Sequence, residues 1–221
     1  LALSSVLLLI FAWILHKQRR GQTQFWFIGW LFLVAATALE YVSAFSPEAS
    51  GILLLCSAEL AAALFIASLS SLSDHPTRRW SLVAAIAIPS ILFTVAGGYA
   101  VHHPLIPALL GCAALGGIIT LELQQHGRRS LFGWIASAVA TLICAATAVP
   151  VVQQNYAYAV RILVASLFLI AGCLYIRKFP RFSLGVLIAA CGLFSWGGAV
   201  AIDSSTLHAW TTLDSSDGLL L

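Results

Sequence analysis

Three ionisable residues interrupt stretches of this 221-residue chain that are otherwise apolar: Glu40, Glu59 and Arg161. Each costs about 2.5 to 3.5 kcal/mol at the centre of a membrane helix unless it is paired or hydrated. Two carboxylates and a guanidinium allow two kinds of chemistry. They can form a buried ion pair that fixes helix register, with Arg161 offering its fork of donors to one or both carboxylates. Alternatively, they can line an outward-facing cavity that takes a ligand or a proton. Glu59 lies about eight residues, or about 12 Å at helical rise, from the outer end of its segment, and the spacing puts all three residues in the outer third.

Other chemistry finds few residues. Glu122 lies beside His126, Arg128 and Arg129 and reads as an interfacial side chain that snorkels. His102 and His103 adjoin Pro104, in a solvated loop or a pH-sensitive one. His16, His75 and His126 are expected on the cytoplasmic side, and no His sits mid-segment opposite another, so a haem lacks its axial pair. The chain has no HExxH, no GxSxG, no phosphate-cradling glycine loop with Lys and no Asp-rich cluster. No catalytic residue, metal site or cofactor is therefore expected, and the segment reads as non-enzymatic. Cys56, Cys112, Cys144, Cys173 and Cys191 lie inside apolar runs without CxxC or Cys/His spacing, as reduced packing residues.

The elements that must position these groups follow from composition. Hydrophobic residues make up 61% of the chain and charged residues only 9%, against roughly 25% charged in soluble domains. Eight apolar segments can be drawn: 1–16, 25–45, 51–72, 80–101, 105–124, 131–152, 158–176 and 182–202. Each is judged against the roughly 20 residues that cross a bilayer. Backbone groups in lipid must be bonded within the segment, and alternating patterns are absent, so the segments read as helices. The expected fold class is all-α, a polytopic transmembrane bundle of about eight helices over 1–203. Residues 204–221 then form an external tail or the start of a further membrane segment. With no Met anywhere and DSSDGLLL at its end, the chain reads as a fragment of a longer protein. Pro89, Pro107 and Pro150 can bend their helices, while the Gly97/Gly98, Gly116/Gly117 and Gly197/Gly198 pairs permit close helix contact.

Orientation comes from the cations. Lys17, Arg19, Arg20, Arg78, Arg79, Arg128, Arg129, Arg177, Lys178 and Arg181 are ten of the eleven Lys and Arg residues, and all lie in odd-numbered loops. The even loops hold none. Basic loops stay in the cytoplasm, so the amino terminus is expected outside. Trp26, Trp30 and Trp80 join these cations as expected anchors at the membrane interface. The chain is thus expected to be a multi-pass protein of a cell membrane, with the lipid bilayer as its partner. Cations scattered through short loops exclude a nucleic-acid patch; a homodimer and a small ligand are left open.

The succession KQRRGQ, FWFIGWLFLVAATALEYV and LSDHPTRRW resembles the amino-terminal multi-helix sensor modules of bacterial GGDEF diguanylate cyclases and histidine kinases, over about residues 10 to 80. The resemblance implies a signal-transducing module of a bacterial inner membrane that passes a helix-packing change to a cytoplasmic output domain. No GGDEF or kinase motif occurs in these residues. Two other readings stand beside it: a small-solute or ion transporter with Glu59 as coupling carboxylate, and a structural subunit of a membrane complex.

Overall fold

The computed structural model describes residues 21–41, 47–69, 76–98, 142, 146, 149–151, 155–179 and 184–202. Among them are five helices: α1 (Gly21–Tyr41), α2 (Pro47–Leu69), α3 (Pro76–Gly98), α4 (Tyr156–Lys178) and α5 (Leu184–Ile202). Residues 142, 146 and 149–151 are also helical, and no strand occurs among the described residues. The fold is all-helical. Three stretches are long and apolar enough to cross a membrane: Gly51–Leu69, Arg79–Ala96 and Tyr158–Ile176. Shorter apolar stretches, Gln24–Ala35 and Leu187–Ala201, lie in α1 and α5. The first and fifth expected segments, and most of the sixth, lie outside the described residues.

The first three helices start about four residues ahead of the apolar segments because backbone chemistry, not hydropathy, sets where a helix begins. Pro47 and Pro76 occupy the first helical position of α2 and α3, where a missing N–H costs nothing and φ is already suitable. At α4 the Asn155 side chain caps the helix by accepting a hydrogen bond from the Tyr158 N–H at 3.2 Å. At its far end the Phe179 N–H donates to the Tyr175 carbonyl at 3.2 Å. Pro89 lies within α3, which continues past it to Gly98.

Ring and polar contacts give the topology. Phe25 meets Trp80 with centroids 4.8 Å apart, and Trp26 meets Phe65 at 4.6 Å and Tyr175 at 5.3 Å. Lys178 Nζ donates to the Ser68 carbonyl at 2.9 Å. The first turns of α1 and α3 therefore gather with the last turns of α2 and α4 at one end of the bundle. α5 runs antiparallel to α4: Gly172 faces the Phe194 ring, whereas Gly197 lies against Ala165 and Phe168. Its start thus belongs to the same end. Arg78, Arg79, Arg177 and Lys178 all fall in helical turns at this end, which agrees with the charge alternation read from the loops.

α2 is the central element, packed against α1, α3 and α4. From Ala58 to Leu69 every residue except Leu60 is buried, as expected of a helix apolar on all sides. Ala58, Ala61, Ala62, Ala63 and Ala67 let its neighbours approach closely. Phe65, with no solvent exposure, lies at the centre of an aromatic row that takes in Trp26, Trp30 and Phe168, the last stacked on Trp196 at 6.3 Å.

Trp30 belongs to that row: its indole nitrogen is buried, without a hydrogen-bond partner among the described residues, and its ring lies 5.7 Å from Phe65. The cause is Gly29, where a Cβ would stand 2.6 Å from the edge of Phe65. The absent side chain seats Phe65 against α1 and draws Trp26 and Trp30, one turn apart, toward the interior.

Candidate functional site

Glu59 has no solvent exposure and is the ninth of nineteen residues in the span Gly51–Leu69. It sits near the middle of that apolar span. Its Oε1 accepts a hydrogen bond from Thr94 Oγ1 on α3 at 2.5 Å, within the range of charge-assisted O–H···O bonds. Its Oε2 is buried without a hydrogen-bond partner among the described residues. Ser90, one turn before Thr94 on the same face of α3, is fully buried too. The Ser90 hydroxyl lies near the carboxyl without making a hydrogen bond of good geometry.

The site is therefore a carboxyl with one engaged oxygen, one open oxygen and two hydroxyls on the facing helix. Such a group can accept a proton, a donor group of a small ligand, or part of the shell of a small cation. Ser90 and Thr94 were missed in the sequence because hydroxyls in apolar helices usually bond their own backbone, as Ser57, Ser68 and Ser166 do here. Their four-residue spacing just after Pro89 was the available signal.

Arg161 is 4% exposed, in the second turn of α4 and the fourth residue of the span Tyr158–Ile176. α4 runs parallel to α2, its Phe168 meeting Phe65 at 6.3 Å and its Lys178 reaching Ser68. Arg161 has an interaction of its own, while the described bond of Glu59 goes to Thr94. The side chain of Glu40, the third member of the expected lock, lies outside the described residues.

At the basic end Trp80 is 51% exposed, whereas Arg79 is only 7% exposed and packs inside the bundle. Lys178 is half-buried. Burial, and then the nearby Arg79 charge, pull its pKa below the ordinary lysine value. The side chains of Arg78 and Arg177, and residues Lys17, Arg19, Arg20, Arg128, Arg129 and Arg181, lie outside the described part. Cys56, Cys173 and Cys191 are free thiols. No group of three or more His, Cys, Asp or Glu side chains assembles among the described residues.

Comparison of the chain with protein-family models, curated proteins and solved structures finds no match.

Proposed function

We propose that the chain is a multi-pass sensory module of a cell membrane, with its basic end in the cytoplasm and the Glu59 cluster as its responsive element. The observation that carries this reading is the open oxygen of a fully buried carboxyl on the central helix. A proton or ligand donor arriving there changes the bond that ties α2 to α3. Because α2 also packs on α1 and α4, a change in its packing reaches the last turn of α2 and the adjoining starts and ends of its neighbours. The stimulus acts by favouring one packing over another; a ligand indifferent to both would shift nothing. The resemblance to bacterial sensor modules supports the same direction of signalling, from the membrane to a cytoplasmic output.

The open oxygen also favours a second reading. A carboxyl near mid-span is where a transporter would couple a proton or cation to solute movement. One experiment separates the two. The protein, spin-labelled at the exposed positions Thr77 and Phe179, is reconstituted into vesicles, and label distances and proton or cation flux are recorded as pH is varied. A sensor shows a pH-dependent distance change that Glu59→Gln removes, with no flux in either protein. Flux that Glu59→Gln abolishes would carry the transporter reading. No response by either measure would leave a structural subunit.

A further inference from the structure

Ser90 is the residue that packing between α2 and α3 leaves unexplained. It has no solvent exposure, and its hydroxyl has no hydrogen-bond partner among the described residues. Other buried serines of this protein return to their own backbone: Ser68 to the Phe65 carbonyl at 2.7 Å and Ser166 to the Leu163 carbonyl at 2.6 Å. Ser90 stands by the Glu59 carboxyl instead. The second oxygen of that carboxyl, Oε2, is equally buried and equally without a partner. Two oxygens of one buried cluster thus remain open, and they are not bonded to each other.

Oxygens that share a proton and oxygens that share a cation are spaced differently. An O–H···O bond holds its oxygens about 2.5 to 3.0 Å apart and aligned. Oxygen ligands of a hard cation lie about 2.3 to 2.6 Å from the ion, so two of them a right angle apart stand roughly 3.3 to 3.7 Å from each other, with no hydrogen bond between them. Adjacent but unbonded oxygens match the second arrangement. Thr94 fits as well, since its hydroxyl donates to Glu59 Oε1 at 2.5 Å and keeps lone pairs for an ion. An all-oxygen donor set suits hard cations and not soft transition metals. One carboxylate balances one positive charge, so a monovalent ion removes the cost of a bare charge near the middle of the span.

Access to the cluster has a direction. Toward the start of α2, Ile52, Leu53, Leu54, Cys56 and Ser57 all retain some exposure, whereas every residue from Ala61 to Leu69 is buried. The helix is closed toward the basic end and looser toward the other.

We propose that Glu59, Ser90 and Thr94 form a site for a small monovalent cation such as Na+, which enters from the end of the bundle opposite the basic one. The proposal rests on the reading of Glu59 as the responsive element and names its stimulus: an ion that ties Oε2 to Ser90 adds a second link between α2 and α3 beside the Thr94 bond.

The test uses the intact chain in phosphatidylcholine nanodiscs, with NaCl exchanged for choline chloride at constant ionic strength. Dicyclohexylcarbodiimide, which modifies protonated carboxyls in apolar surroundings, is the probe, and the rate of Glu59 modification is read by mass spectrometry. Na+ should slow the modification saturably and raise the thermal midpoint above that in choline. Ser90→Ala, which removes an ion ligand but no described hydrogen bond, should raise the half-protecting Na+ concentration about tenfold, the size of one lost contact to a charged group. Equal rates and midpoints in Na+ and choline would overturn the proposal, as would Ca2+ protecting at lower concentration than Na+, or an unchanged half-protecting concentration in Ser90→Ala. Should Glu59 resist the reagent, the midpoints of the unmodified protein in Na+ and choline decide. The sensory reading fails separately. Protection by Na+ with the distance between labels at Thr77 and Phe179 unchanged keeps the cation site and removes the sensor, whereas a distance that moves with pH but not with Na+ keeps the sensor and removes the site.

Discussion

Replacing Thr94 with Val keeps the shape of the side chain and removes the hydroxyl that holds Glu59. Hydrogen bonds to charged groups contribute about 1.5 to 3 kcal/mol, whereas side-chain bonds between membrane helices average about 0.6 and reach about 1.7 kcal/mol. Glu59 has no hydrogen bond to its other oxygen among the described residues, so the loss falls on the one described bond. We expect Thr94→Val to destabilise by about 2 kcal/mol. With Glu59→Gln already in place, the same change removes only a neutral bond and should cost about 0.6 kcal/mol. The coupling energy of the double-mutant cycle is then about 1.4 kcal/mol, well above the few tenths expected of sites that do not interact. Ser90→Ala, carried through the same cycle, tests whether the neighbouring hydroxyl takes over when Thr94 is lost. The assay is reversible unfolding of the four proteins in bicelles. A Thr94→Val cost below about 0.5 kcal/mol, or equal costs in both backgrounds, would refute the assignment of Thr94 as the group that holds the carboxyl.

Gly29→Ala should destabilise by about 1 to 3 kcal/mol through overpacking, since its Cβ would stand 2.6 Å from the wholly buried Phe65 ring. Gly198→Ala meets open space and should be neutral or stabilising by up to about 1 kcal/mol; the opposite ordering in thermal unfolding would contradict the described packing of α1. Lys178 has its pKa lowered in the folded state from 10.5, so between the folded and unfolded values the unfolded chain binds the extra proton and stability rises with pH. The penalty is fully present below the folded value. Lys178→Gln should flatten that alkaline rise in a pH series of unfolding curves, and an unchanged slope would mean that another group produces it. A reporter fused after Arg79 or Arg129 should behave as cytoplasmic and one after His103 as external; the reverse would invert the orientation.

Composition was sufficient for the helical class, and the order of charges for finding Arg78, Arg79, Arg177 and Lys178 at one end of the described helices. Hydrophobicity and charge act on a segment irrespective of its partners: an apolar run of this length in lipid must bond its own backbone, and cations must stay near water. Tertiary structure alone decided which way each helix turns. α2 is apolar on all sides, so no polar face in its sequence reports whether Glu59 looks toward α1, α3 or α4; close packing across its alanines set the carboxyl against Thr94. Trp30 shows the same limit. An indole suits a headgroup or a core equally well, and the gap left by Gly29, filled by Phe65 from another helix, turned it inward. Arg79 was legible as a cation at a membrane edge, but its burial beside Lys178 depends on where α4 ends relative to α2, a relation between residues about a hundred positions apart that no local pattern carries.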